Sequence, residues 1–281
     1  MGWYNRVTST VPFAQRQISA RQVATAEKKG DIDTEKMGTA PADLLTRFLN
    51  AKSDYPEVVD DRAVLGLTLS MVNAGSGTIA TTLAATIYYL LKYPEKMEKL
   101  MQELDHHFPP PETAIGKSFE EWVVPFTEAQ KLPYLDACIK ETFRIHPALG
   151  AQLLERVTPP EGAHIAGEYI RGGIIVTSNA WIVHRHKPTY GEDVETYRPE
   201  RWIDCDSGQL AAMNRSSLVF GAGPNTCIGK SIGLLELYKM IPTILRMFTI
   251  ELVDPQSSWK IYNLGDPEPY DFYVRFKSRY N

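Results

Sequence analysis

The sequence predicts a mainly α protein with small β-sheets, on three observations. An apolar-rich run from Pro56 to Lys92 contains no further proline and reads as one long helix. Two other segments, Pro133 to His146 and Ile228 to Phe248, read as helices. Between them, Leu153–Val157, His164–Ala166 and Ile174–Thr177 are short, β-branched and separated by Gly and Pro, as strands of a small sheet are.

The elements follow in order. Residues 11–30 form a helix ending at Gly30, and the polar residues 31–40 form a loop. A short helix starts near Pro41, in the position a first turn tolerates, with Leu44, Leu45, Phe48 and Leu49 as its apolar stripe. The run from Pro56 to Lys92 would make a rod of roughly 55 Å. Its middle reads Ala74-Gly75-Ser76-Gly77-Thr78. Each interior glycine costs about 1 kcal/mol relative to alanine, and close approach of a flat ligand would offset that. Tyr93-Pro94-Glu95 opens a helix to about His107, and Pro109 to Pro111 make a stiff break. The helix from Pro133 stops at Pro147. A loop-rich stretch runs from Trp181 to about Val219, the helix from Ile228 is distorted near Pro242, and Tyr270–Phe276 alternates like a strand. With no internal repeat and no linker, a single domain over 1–281 is expected.

Composition narrows the function. Of 281 residues, 43% are hydrophobic and 23% charged, which supports a buried core. The formal net charge of -4 argues against nucleic-acid binding, which needs a basic surplus. Cys138, Cys205 and Cys227 form no Cys-x-x-Cys, so a zinc or thioredoxin-like centre is not expected, and an odd set of scattered thiols fits a reducing compartment. Residues 1–10 hold no long apolar run, and the longest apolar stretch, Leu83–Leu91, is too short to cross a bilayer. No membrane anchor is expected in this chain.

The chemistry concentrates in Phe220-Gly221-Ala222-Gly223-Pro224-Asn225-Thr226-Cys227-Ile228-Gly229. One thiol ends a glycine-rich loop at the start of a helix, where unpaired N–H groups and partial positive charge favour a thiolate. Glycines let backbone N–H groups turn toward the sulfur and tune a metal thiolate. Glu141-Thr142-Phe143-Arg144 puts an acid and a base three apart on one helix face, and Arg198-Pro199-Glu200-Arg201-Trp202 offers a second arginine that would complete a buried Glu–Arg–Arg network.

In this order the four blocks resemble the cytochrome P450 family, from about residue 40 to the end. The likeness is to the eukaryotic microsomal type, and within it to fungal enzymes of secondary metabolism. The resemblance implies the C-terminal part of that fold: a long central helix, a Glu-x-x-Arg helix, the Cys-ligand loop and its following helix. It implies haem as cofactor, with Cys227 as axial thiolate. Phe220 would pack against the proximal haem region, and Gly221, Gly223 and Gly229 would shape the loop. Thr78 would sit over the distal face as the catalytic hydroxyl, and Ala74 and Gly75 would let the rod approach the porphyrin. Arg156 would pair with a haem propionate. Glu141, Arg144 and Arg201 would lock the architecture. The stretch from Ala148 to Leu154, with Leu69, Val72 and Asn73, would line the substrate pocket.

The resemblance further implies a monooxygenase that inserts one atom of O2 into a small apolar molecule. Its electrons would come from a donor of the NADPH–cytochrome P450 reductase type, for which Lys140 and Lys230 would provide a basic docking face. A full-length relative would sit at the cytosolic face of the endoplasmic reticulum membrane. Three departures stand out. Gly77 occupies the place of an acid that relays protons. Asn225 replaces an arginine that salt-bridges a propionate. The chain is about half the family's length, so it reads as N-terminally truncated. A catalytically inactive remnant and an isomerase or dehydratase of the same family are the alternatives.

Overall fold

Several helices in this chain begin where the sequence supplies a cap or a proline. The computed structural model describes residues 2–30, 43–109, 119–150, 153–263 and 267–280. Helix α1, Gly2–Gly30, starts earlier than the sequence pattern indicates and passes through Pro12. The expected loop over 31–40 and Pro41 lie outside the described residues. Helix α2, Leu44–Asp54, begins after Asp43, whose carboxylate accepts the Thr46 N–H at 2.9 Å. Arg21 of α1 grips the same carboxylate at 2.9 and 2.7 Å.

Helix α3 spans Asp61–Lys92, not Pro56–Lys92. The Tyr55 carbonyl instead closes a turn on the N–H groups of Val58 and Val59, and Asp60 then caps the helix by accepting the Ala63 N–H at 2.7 Å. A side-chain cap of this kind fixes a helix start. The chain divides into two compact units, residues 1–77 and 78–281, with the boundary inside α3. The first unit holds α1, α2 and the beginning of α3.

The second unit contains the remaining elements. Helix α4, Pro94–His107, opens on its proline as expected. Short helices α5, Phe119–Trp122, and α6, Phe126–Ala129, precede α7, Pro133–Ile145. Strand β1, Leu153–Val157, pairs antiparallel with β4, Ile175–Asn179, while β2, Ala163–Ile165, pairs with β3, Glu168–Ile170. The expected single sheet is therefore two separate ladders, because the chain turns back on itself at Ala166 and Gly167, both with positive φ. Ala148–Gly150, expected to lead into a strand, is a turn closed by the Gly150 N–H on the Pro147 carbonyl.

The stretch read as loop-rich holds α8, Ala180–Val183, α9, Lys187–Tyr190, a 3-10 turn at Pro199–Trp202, and α10, Ser207–Ser216. Helix α11 covers Lys230–Met247 with Pro242 buried inside it. The tail forms β5, Phe248–Leu252, paired with β8, Val274–Ser278, and β6, Lys260–Asn263, paired with β7, Pro267–Tyr270. The alternating strand expected over Tyr270–Phe276 is broken at Asp271, which adopts φ 57°.

Apolar residues spaced one helical turn apart make the core of this unit. Leu90 of α3, Leu100 and Leu104 of α4, Leu135 and Ile139 of α7, and Leu237 and Ile241 of α11 are all essentially inaccessible and form one cluster. Burying each such side chain contributes roughly 1.5–3 kcal/mol. By length and composition α3 is the one helix among the described residues that could cross a membrane, which revises the expectation that no stretch is long enough. Ala85, Thr86 and Leu90 of α3 are fully buried within the protein, but only 11% of the helix's apolar window is buried.

Candidate active site

The site is built outward from α7. Apolar residues at 134, 135, 138, 139 and 143 bury one face of this helix, which carries Glu141 and Arg144 inside the protein, at 0% and 2% exposure. Glu103 of α4 accepts the N–H groups of Tyr134 and Leu135 at 2.8 and 2.9 Å, meeting donors that a helix start leaves orphaned.

The Glu141 carboxylate collects donors from four residues. Arg144 supplies Nε at 2.9 Å and Nη2 at 2.8 Å, Arg201 supplies Nε at 3.1 and 3.2 Å, and the Arg198 backbone N–H lies at 2.9 Å. The expected Glu–Arg–Arg network is therefore present and buried. The structure adds Trp202, whose indole N–H donates to Glu141 at 2.9 Å, and Asp193, which accepts from Arg201 Nη1 at 2.9 Å. Arg144 reaches on to the carbonyls of Val194, His184 and Thr196 at 2.7, 3.2 and 3.2 Å, and Arg201 Nη1 also donates to the Tyr190 carbonyl. Burial pushes the Asp193 carboxyl up, but the bonds from Arg198 and Arg201 outweigh it and bring it to about 2. Glu200, two residues before Trp202 in the same turn, is likewise pushed up by burial and then brought to about 2 by Lys99, Tyr134 and Lys96.

Phe143, also on α7, meets Phe220 edge to face at 5.3 Å. This contact joins the helix to the thiol loop. In that loop the Gly221 N–H bonds the Leu218 carbonyl at 2.9 Å, and the Cys227 N–H bonds the Phe220 carbonyl at 2.8 Å. Gly221 and Gly223 take φ 69° and 67°, a backbone that suits glycine. Gly229 is the residue before α11, and a Cβ placed on it would lie 3.7 Å from the Cys227 sulfur.

Cys227 is exposed and opens into a cavity of about 480 Å³. The loop supplies Phe220, Asn225 and Cys227 to its wall, and α3 supplies Thr78, Ile79 and Thr82. Phe220, Asn225, Cys227 and Thr78, predicted as site residues, are thus brought together. Arg156 is not among the lining residues. It donates to the carbonyls of Ala222 and Glu155, both at 2.7 Å, and so braces the loop from β1. Ala74 and Gly75 belong to the first unit, and a Cβ on Gly75 or Gly77 would meet nothing within 4 Å. No described protein atom therefore requires glycine at those two positions. Leu69, Val72 and Asn73 also belong to the first unit.

Ala148 and Leu149 line the cavity, as expected, from a turn. Residues 151–152 and the side chains of Leu153 and Leu154 lie outside what the structure describes. Sequence reasoning missed Ile79, Thr82, Leu218 and Leu237 of the wall. Thr82 carried a signal, standing four residues beyond Thr78 on the same face of the helix.

A second hollow, about 330 Å³, shares Phe143, Val219, Phe220 and Gly221 with the first and also holds Lys140 and Lys230. Lys230 Nζ stands 5.7 Å from the centre of the Phe220 ring. Lys140 is paired with Asp136 at 2.7 Å, which reduces the positive character expected of this face.

The donor chemistry can be set against the expected cofactor. Among the described residues no group of three or more His, Cys, Asp or Glu side chains could hold a metal ion. The cavity instead offers one thiol in a largely apolar wall, within the size range of about 300–1,000 Å³ usual for cofactor and ligand sites. A lone axial sulfur suits a metal that brings its other ligands in a macrocycle, so the residues fit haem.

A chain with a long apolar-faced helix, a buried Glu–Arg–Arg–Trp network and a single thiol on an apolar cavity has the arrangement of a haem-thiolate protein. The cytochrome P450 family model matches residues 11–271. The chain is 39% identical over 237 residues to "Cytochrome P450 monooxygenase cicH" of Emericella nidulans, covering 84% of this chain and 46% of that protein. It is 34% identical over 258 residues to "Cytochrome P450 monooxygenase mfmA" of Annulohypoxylon moriforme, covering 90% and 47%. With "Cytochrome P450 monooxygenase cfoH" of Aspergillus candidus it shares 34% over 279 residues, covering 96% and 49%. The chain belongs to the cytochrome P450 family. It spans about half the length of these curated relatives.

Proposed function

We propose that this chain forms the haem-thiolate centre of a monooxygenase acting on a small apolar molecule in fungal secondary metabolism, as part of a single domain of the family's kind. The observation that carries the reading is the meeting of Cys227 and Thr78 on one apolar cavity. Cys227 would hold the iron, Phe220 and Asn225 would border the ring, and Arg156, close to the loop, would face a propionate. Bound haem would supply oxygen binding and reductive O–O cleavage, which a thiolate ligand favours. The buried Glu141 network fixes α7, and Phe143 on that helix supports Phe220 behind the sulfur loop. Thr78 contributes a hydroxyl to the cavity lining, and Ile79, Leu218 and Leu237 make that lining favour apolar molecules. Gly229, just after the sulfur, completes the proposed cofactor contacts of this unit.

Two electrons and O2 are required by such chemistry. The proposed donor is a reductase of the NADPH–cytochrome P450 type, docking near Lys230. The proposed placement of the whole protein, at the cytosolic face of the endoplasmic reticulum membrane, rests on the family resemblance.

Expressed with haem, reduced and exposed to carbon monoxide, the chain should show a strongly red-shifted Soret band that Cys227→Ala abolishes. A band that survives the substitution means another ligand holds the iron. Gly77, standing where an acid would relay protons, favours a second reading as an isomerase or dehydratase. Haem uptake with no oxygen consumption in the presence of reductase supports that reading, and no haem uptake supports an inactive remnant.

A further inference from the structure

His184 follows α8 and is fully buried. Its Nε2 accepts the N–H of Leu218 at 2.8 Å. A ring nitrogen that accepts carries no proton, so the neutral ring is protonated at Nδ1. Nδ1 itself has no hydrogen-bond partner of normal geometry, although the ring lies beside the backbone carbonyls of Arg144 and Phe143. The His184 carbonyl in turn accepts Arg144 Nη1 at 3.2 Å. One residue thus touches the end of α7 with its backbone and the segment before the thiol loop with its imidazole.

The contact continues into the loop. The Leu218 carbonyl accepts the Gly221 N–H at 2.9 Å, and the Phe220 carbonyl accepts the Cys227 N–H at 2.8 Å. Leu218, Phe220, Gly221 and Cys227 all border the larger cavity. The charged groups acting on the ring are Arg144 and Arg185, and the Tyr190 ring stands 6.2 Å away. Burial, followed by the charge of Arg144, lowers the imidazole to about 4, which keeps it neutral near pH 7.

We infer that His184 is a positioning residue for the thiol loop: its Nε2 lone pair tethers the Leu218 amide and so sets the backbone that presents Phe220 and Cys227. No other side-chain bond to a backbone N–H of residues 217–221 is present among the described residues. The functional meaning of the tether rests on the proposed role of Cys227, but the tether itself is testable with or without haem.

The test uses three variants of the full chain and one measurement on the unaltered protein. His184→Gln places an amide oxygen where Nε2 stands and keeps an acceptor, His184→Phe keeps ring volume without one, and His184→Asn is too short to reach. Amide hydrogen exchange at Leu218 and through 220–227 should accelerate about ten- to a hundredfold in the Phe and Asn variants, the range expected when a buried donor loses its partner. Amides of α7 should stay unchanged, and the Gln variant should restore protection. With haem loaded, the fraction of the carbon monoxide complex showing the red-shifted band should fall in the same order. Nitrogen-15 shifts of His184 in the unaltered protein should report a bare Nε2 and a protonated Nδ1.

Unchanged Leu218 exchange in the Phe variant overturns the inference. So does equal acceleration of every amide, failure of Gln to restore protection, or a proton on Nε2. Absence of the red-shifted band from the unaltered chain, with Leu218 exchange behaving as stated, removes the proposed function and leaves the tether standing.

Discussion

Replacing Glu141 by alanine should destabilise the second unit by about 3–5 kcal/mol, the range seen when one partner of a buried ion pair is removed. The structure supports the upper part of that range. Glu141 is inaccessible to solvent, and so are nearly all of Arg144 and Arg201, whose side chains are each 1% exposed. Without the carboxylate, both guanidiniums keep only carbonyl partners and the Asp193 contact, and the Trp202 indole and the Arg198 N–H lose an acceptor. Domain stabilities are typically only about 5–15 kcal/mol. Glu141→Ala should therefore lower the urea midpoint sharply or leave the chain unfolded. Glu141→Gln keeps the shape and the oxygen but not the charge, and should fall between the two. The check is urea unfolding followed by circular dichroism, with the slope compared between variants so that midpoint shifts report stability. A loss below about 1 kcal/mol for Glu141→Ala, at unchanged slope, would refute the reasoning, because such values belong to exposed pairs.

Acid should weaken the fold before the carboxylates titrate. His146 and His184 are each lowered by burial to about 4 from an ordinary 6.5, so below pH 6.5 the unfolded chain takes up protons that the folded chain refuses. Their stabilisation is complete above 6.5 and declines toward 4, by on the order of 2 kcal/mol each at pH 5; urea midpoints that stay flat from pH 7 to 5 contradict this. Gly223→Ala should cost about 1–2 kcal/mol through its positive φ alone, since its Cβ would find its nearest neighbour, Arg156 Nη2, at 3.9 Å; a neutral midpoint shift counts against that loop conformation. Glu103→Ala should cost about 1–2 kcal/mol by orphaning the Tyr134 and Leu135 N–H groups, and faster amide exchange confined to the first turn of α7 would confirm the location.

Local signals in the sequence found what depends on local chemistry. Pro94 and Pro133 marked helix starts because proline is well tolerated in a first turn, where its missing N–H costs nothing, whereas Pro12 and Pro242 inside α1 and α11 show that proline alone does not fix a boundary. Glu141, Arg144, Arg201 and the thiol loop were legible because each lies in a short dense string. The start of α3 was misplaced because absence of proline permits a helix without starting one, and the cap at Asp60 decided the matter. Helix α10 was missed although Asp206 caps it by accepting the Gln209 N–H at 2.8 Å, a signal that was available. His184 could not be found this way, because its partner Leu218 is 34 residues distant and an isolated histidine has no pattern. The same holds for Leu218 and Leu237 on the cavity wall, which look like any core leucine until the chain is folded.

The two hollows share a partition made of Phe143, Val219, Phe220 and Gly221. Among the shared residues, the Phe143 and Phe220 rings meet edge to face, so a substitution at either would alter the lining of both hollows. A bulkier residue at position 219 would press on both chambers at once. The lysine-bearing recess therefore borders Phe220 and Gly221 of the same loop that carries the sulfur, so a group docking beside Lys230 would lie against residues that also line the thiol's cavity.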